Sequence, residues 1–181
     1  MMQNDHLPLN WRGVKVEDIK SSDRRSIVSG PFGSNIGKKF FVKEGIPLIR
    51  GNNLTLGVKK FVDEGFVYIT EEKAYELRNC EAISGDIVFT AAGTLGQVGL
   101  IPSKTKYQKY IISNKQLRLR VDTHIALPDY LYYWFSSPDM RNHIINHNLG
   151  ASVPLITLGV LRNLPVNLPP LPTQQKIAAI L

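Results

Sequence analysis

Along the first two-thirds of the chain, apolar residues fall in short runs rather than in helical stripes. Ile46 to Arg50, Phe66 to Thr70, Ile87 to Thr90 and Lys115 to Val121 are β-branched or aromatic-rich segments bounded by Gly, Asn or Asp, and each predicts a strand. In the last of them Leu117, Leu119 and Val121 alternate with Gln116, Arg118 and Arg120. A period of two buries one face and offers amide and guanidinium groups on the other. Ser84-Gly85-Asp86 predicts a turn that feeds Ile87. Between Thr70 and Asn79 the pattern predicts a short helix, with Thr70 as its cap, Glu71 and Glu72 at its positive end and Arg78 at its negative end.

The last third changes period. Pro128 suits a first helical position, and Leu131, Trp134 and Phe135 follow at i, i+3 and i+4. Ser137 and Pro138 open a second helix, with Met140, Ile144 and Ile145 on its apolar side and Gly150 as its stop. A proline-punctuated stretch follows, with Pro154, Pro165, Pro169, Pro170 and Pro172, too restricted to be helical throughout. From Thr173 to Leu181, Ile177, Ile180 and Leu181 return to helical spacing, as the opening turns of a longer helix. These elements predict an α+β fold, mostly β, with its helices in the last third.

Composition narrows the class. A chain of 181 residues fits one domain with its own core, and 43% hydrophobic with 20% charged residues is ordinary globular usage. One cysteine, Cys80, excludes a disulfide framework and a Cys-rich zinc module, and fits a reducing cytosol. No apolar run reaches the ~20 residues of a membrane span, and the longest, Ala151 to Leu161, is broken by Pro154 and Gly159. The start, with Asp5 and no apolar stretch behind it, does not read as a signal peptide. The expected location is the cytoplasm.

Charge adds a direction. Lys plus Arg number 22 against 15 Asp plus Glu, a net +7. From Ile87 through Val121 there is no acidic residue, while Lys104, Lys106, Lys109, Lys115, Arg118 and Arg120 all fall there. That run is either a solvated face or a surface that tracks phosphates.

Enzymatic motifs fail on spacing. His143 and His147 stand at i, i+4, but the zinc protease pattern needs Glu after the first His, where this chain has Ile144. Gly93, Gly96 and Gly99 lack the dinucleotide spacing and a following helix, and no Gly-Lys-Ser/Thr is present, so they predict a glycine-rich hairpin or bulge. Glu71-Glu72-Lys73 precedes both Pro128-Asp129 and Pro138-Asp139, the reverse of the order a metal-dependent nuclease uses. Asn167-Leu168-Pro169-Pro170 departs from the amino-methyltransferase motif by an inserted leucine and a missing aromatic, and Cys80 has no nearby histidine.

The order of the short motifs carries a resemblance. Leu7-Pro8-Leu9-Asn10-Trp11 is followed by Ser29-Gly30-Pro31-Phe32-Gly33-Ser34, Gly45-Ile46-Pro47-Leu48-Ile49-Arg50, Ser84-Gly85-Asp86-Ile87-Val88 and Gly93-Thr94-Leu95-Gly96. Then come Tyr130-Leu131-Tyr132-Tyr133-Trp134 and Leu168-Pro169-Pro170-Leu171-Pro172-Thr173-Gln174-Gln175-Lys176-Ile177. The series resembles the target recognition domain of a type I restriction–modification specificity subunit, over essentially the whole chain. The resemblance implies a recognition domain over 1–170 and the start of a spacer helix over 171–181. It implies double-stranded DNA as ligand, one half of a split site per domain. It also implies modification (methyltransferase) and restriction (motor-nuclease) subunits as partners, with a second copy of the chain as a further one. The chain itself would be non-catalytic, with no cofactor. S-adenosylmethionine, ATP and magnesium would belong to the partner subunits.

Combined with the basic run, this points to contact residues. Gln97, Asn114 and Gln116 are candidates for adenine and Arg118 for guanine, since amides and guanidinium groups pair bidentately with those bases. Lys104, Lys106, Lys109 and Lys115 are candidates for phosphate contacts. Lys38, Lys39, Arg50, Asn52 and Asn53 form a second contact region, and Gln174, Ile177, Ile180 and Leu181 a subunit-interaction stripe. Two other classes stay open on the residues alone: the recognition part of a fused methyltransferase or nuclease, and a general nucleic-acid-binding or RNA-binding protein.

Overall fold

A computed structural model describes residues 7–56, 59–146 and 155–181. Its elements run β1 (Arg12–Lys15), α1 (Val16–Ile19), β2 (Ile27–Ser29), β3 (Phe41–Val42), β4 (Ile46–Ile49), β5 (Val67–Ile69), α2 (Glu71–Glu76), β6 (Glu81–Ala82), β7 (Ile87–Thr90) and β8 (Val98–Leu100). They continue with β9 (Tyr110–Ile112), β10 (Gln116–Leu119), α3 (Pro128–Ser136), α4 (Pro138–Asn146), α5 (Leu158–Asn163), β11 (Pro165–Leu168) and α6 (Leu171–Ile180). The fold is α+β.

Two sheets carry the molecule. One has the order β2-β10-β7-β8, antiparallel throughout, and the other β3-β5-β4-β9-β6, with a single parallel pairing of β4 and β9. A third, two-stranded ribbon joins β1 to β11, pairing Arg12 with Leu168 across most of the chain. Each large sheet has its own core. Ile87 and Phe89 of β7 and Leu117 and Leu119 of β10 pack under α3 and α4, with the Phe89 and Phe135 rings edge to face at 5.1 Å. Val88, on the opposite face of β7, belongs to the second core with Leu48, Ile69, Tyr110 and Ile111.

That arrangement changes the reading of β10. Its apolar side faces the first core as its alternation predicts, but all four residues are buried, because the other face is covered as well. The polar residues of that face lie between the two layers, not in water.

Local chemistry sets the helices as expected. The Thr70 hydroxyl accepts from the Lys73 N–H at 3.2 Å to cap α2, and Pro128 is the first residue of α3. Gly93 and Gly96 lie in the β7–β8 hairpin connection with φ of +108° and +85°, conformations that favour glycine. In α4 Met140 and Ile144 are buried while Ile145 stays exposed. His147, Gly150 and Pro154 lie outside the described residues.

One side chain anchors the first turns of α6 by hydrogen bonds. Gln174, fully buried, accepts from the Leu127 N–H at 2.8 Å and donates to the carbonyls of Pro169 at 2.9 Å and Ile125 at 3.1 Å. Gln174 therefore cannot form part of a subunit-interaction stripe. Its amide is spent on the domain's own backbone. Ile177 leans on the first core, whereas Ile180 and Leu181 are exposed. Among the described residues no helix is long and apolar enough to cross a membrane.

Candidate nucleic-acid interface

The parallel pairing of β4 and β9 places Ile49 beside Ile112, so the residues after both strands emerge together. Those are Arg50-Gly51-Asn52 on one side and Ser113-Asn114-Lys115 on the other, tied by the Ser113 N–H donating to the Ile49 carbonyl at 2.9 Å. In the neighbouring sheet Thr90 pairs with Gln116. The loop after β2 brings Ile36, Gly37 and Lys38 over the same end. Together they enclose an open cleft of about 720 Å³ whose floor is Leu48, Phe41 and Ile36 and whose rim is polar.

Its electrostatics are one-sided. Lys38, Arg50 and Lys115 line the cleft, all exposed, and no carboxylate does. None of the three makes a salt bridge among the described residues. Three unneutralised cations around a concave surface attract a polyanion, and field focusing in a cleft strengthens that attraction.

The amides divide by how far they are already committed. Gln97 faces the cleft but donates to the Leu54 carbonyl at 3.2 Å and accepts from the Thr90 hydroxyl at 3.1 Å. Asn52 donates to the Gly65 carbonyl at 3.2 Å. Asn114 is exposed on the rim, and its side chain makes no hydrogen bond to a described residue.

Three residues expected at the surface are structural instead. Asn53 is fully buried; it accepts from the Arg50 N–H at 3.0 Å and donates to the carbonyls of Val62 and Glu64 at 2.9 and 3.0 Å, pinning the Gly51–Asn53 turn. Gln116 is 1% exposed, and its Oε1 accepts from the Ser113 hydroxyl. It lines the cleft with its side chain almost wholly covered. Arg118 is 2% exposed, donating to the Arg25 carbonyl and standing 3.7 Å from Asp86. Burial pulls its pKa down and Asp86 pulls it up, with burial prevailing. It therefore cannot reach a guanine.

Asp86 is the centre of this network. It is 1% exposed, receives the Arg120 guanidinium through two bonds of 2.8 Å, and accepts from the Ile83 N–H at 2.9 Å. The bond to Asp86 raises the Arg120 pKa despite partial burial. Arg120 is thus the outer member of a buried charge cluster.

The basic run splits in two. β9 separates Lys109 from Ser113, and none of Lys104, Lys106 and Lys109 lines the cleft. Lys109 bonds Glu71 at 3.0 Å, and the Lys106 N–H donates to Asp63 at 3.0 Å. Lys39, next to Lys38, stacks its ammonium 4.9 Å from the Phe40 ring and does not line the cleft. Of the sequence candidates, the cleft gathers Lys38, Arg50, Asn52, Gln97, Asn114, Lys115 and the buried Gln116. Sequence reasoning missed Thr90, Thr94 and Ser113, which carry no charge and whose only signal was a place beside a glycine or at a strand end.

Two sheets with a cationic cleft at their shared end place the chain among α+β domains. It belongs to the type I restriction modification DNA specificity domain family, whose pattern residues 10–181 match. It is 29% identical over 139 residues to the type I restriction enzyme EcoKI specificity subunit of Escherichia coli K12, which covers 75% of this chain and 27% of that protein. Against the EcoBI specificity subunit of Escherichia coli it is 26% identical over 137 residues, covering 75% and 28%. The chain thus spans about a quarter of the length of these curated relatives. Among solved structures, a chain from a study of the assembly and conformational transition of the type I R-M system matches with a TM-score of 0.70 at 18% identity. The match covers 99% of this chain and 39% of that one. The HsdS subunit from Thermoanaerobacter tengcongensis matches at 0.65, with 18% identity and 99% and 38% covered. These likenesses establish the fold.

Proposed function

We propose that this chain recognises double-stranded DNA through the cleft and directs type I modification and restriction subunits to one half of a split target. The observation that carries the reading is the meeting of Lys38, Arg50 and Lys115 around a cavity without a carboxylate, in a domain of this family. Cations placed so bind phosphates by releasing counterions, and the uncommitted polar groups between them face base edges.

On this reading residues 1–170 are the recognition domain and 171–181, within which α6 lies, open a spacer helix. The chain acts in the cytoplasm as a non-catalytic component. Methyl transfer with S-adenosylmethionine, and any ATP- and magnesium-dependent step, belong to the partner subunits. The exposed Ile180 and Leu181 offer a contact to such a subunit or to a second copy of the chain.

The test is binding of the purified chain to a labelled duplex pool across a salt series, followed by selection of the tightest sequences. Selective binding that weakens steeply with salt is expected, with no methylation by the chain alone. Equal affinity for RNA and DNA at one salt concentration would replace the reading by general nucleic-acid binding. Methyl transfer by the isolated chain would replace it by an enzyme.

A further inference from the structure

We propose that Phe32 and Asn114 together read one A·T base pair at the edge of the cleft, Asn114 addressing the adenine and the Phe32 ring the thymine methyl group. The inference rests on the DNA-binding reading and adds a specific contact to it. Phe32 is 84% exposed. Single exposed apolar side chains are common on surfaces, so exposure alone means little. The loop that carries this one is what matters.

Pro31 restricts the backbone before Phe32, and Gly33 follows with φ of +53°. The Asn35 N–H donates to the Phe32 carbonyl at 3.2 Å, closing a tight turn. Behind it, the Gly30 N–H donates to the Gln116 carbonyl at 2.9 Å, and Gly30 lies so close to the Ser113 carbonyl oxygen that an added Cβ would stand 1.8 Å away. The ring is therefore held outward on a short loop braced against the turn that carries Asn114. A few residues further on, the same loop delivers Lys38 to the cleft.

A second cavity of about 390 Å³ opens beside Phe32, with Pro31, Ala91 and Leu117 in its wall, and it shares Asn114 and Gln116 with the cationic cleft. Apolar and cationic surfaces are thus continuous, and a duplex drawn to the cations lies against both. A primary amide pairs with adenine N6 and N7 in the major groove, where the opposed thymine presents its C5 methyl on the same edge. Recognising that pair takes one uncommitted amide and one apolar group side by side. Asn114 and Phe32 are such a pair.

The full chain selects its site from a random duplex pool. Binding is then measured on that duplex with each thymine replaced in turn by uracil, and each adenine by 7-deazaadenine, which lacks N7. One thymine is expected whose methyl loss weakens wild-type binding about fourfold, the worth of one buried methyl group. Phe32→Ala binds the parent duplex at least that much more weakly and does not respond to uracil there, while Phe32→Leu keeps part of the response. Asn114→Ala becomes indifferent to 7-deazaadenine at the paired position. Uracil tolerated everywhere by the wild type, or a full uracil response in Phe32→Ala, overturns the contact and leaves salt-dependent, selective DNA binding standing. A chain that selects no duplex overturns both.

Discussion

The split of the basic run gives a prediction that two triple variants decide. Replacing Lys38, Arg50 and Lys115 by Ala removes the three cations of the cleft; replacing Lys104, Lys106 and Lys109 removes the same number outside it. Each phosphate contact adds about −0.9 to the slope of log affinity against log salt, so the cleft variant should lose about 2.7 of slope. Over a fourfold rise, from ~50 to ~200 mM salt, wild type then weakens about fortyfold more than the cleft variant. The loop variant should keep nearly the whole slope, since Lys109 already pairs with Glu71 at 3.0 Å and has less counterion to release. Fluorescence anisotropy with one labelled duplex at four or more salt concentrations measures both slopes in parallel. A loop variant that drops by about 2.7 beside a cleft variant that keeps the wild-type slope refutes the assignment of the contact surface.

Three further outcomes test the scaffold. Gly30→Ala forces a Cβ to within 1.8 Å of the Ser113 carbonyl oxygen, so a thermal melt should show a loss of about 1–3 kcal/mol; an unchanged Tm refutes the close approach. Asp86→Ala strands the 2%-exposed Arg118 and frees Arg120, and urea unfolding should register a loss of about 3–5 kcal/mol. A change below ~1 kcal/mol would mean that water compensates both guanidinium groups. Burial pushes the Cys80 thiol pKa up, so a thiol reagent at neutral pH should label it only on unfolding. Because the unfolded chain gives up that proton first, stability should fall as pH rises through and above the ordinary thiol range, and Cys80→Ala should flatten the fall.

How much of this was legible in the sequence depends on whether a signal is local. Strands such as Ile46–Ile49 and Ile87–Thr90 announce themselves by β-branching and bounding turns, and Thr70 and Pro128 mark helix starts through chemistry within one turn. Pairing of β1 with β11 is invisible by such means, since its partners are separated by most of the chain. Arg118 was misread because alternation tells which residues share a face, not whether that face meets water or a second sheet. Asp86, which stands 3.7 Å from it, lies far off in sequence, in the turn before β7. The lysines were misread for a related reason: Lys109 and Lys115 are close in sequence, but a strand of three residues carries the chain about 10 Å between them. Lys38 was legible as a loop residue, and Arg50, Asn114 and Lys115 as polar residues at or beside the ends of predicted strands. Their convergence was not, because it is produced by the β4–β9 register.

The Gln174 anchorage of α6 has a geometric consequence. Its three bonds reach the carbonyls of Ile125 and Pro169 and the N–H of Leu127, at the root of α3, and fix both the axis of α6 and its rotational phase against the body of the protein. An α-helix advances 1.5 Å and turns about 100° per residue, so that phase determines which direction every later side chain of the same helix faces. Inserting one residue between Ile177 and Ile180 would swing the exposed apolar pair by about 100° around the axis while leaving the anchor intact. A deletion would swing it the opposite way. Position along the helix and bearing around it are therefore one quantity here, set by a single amide inside the domain.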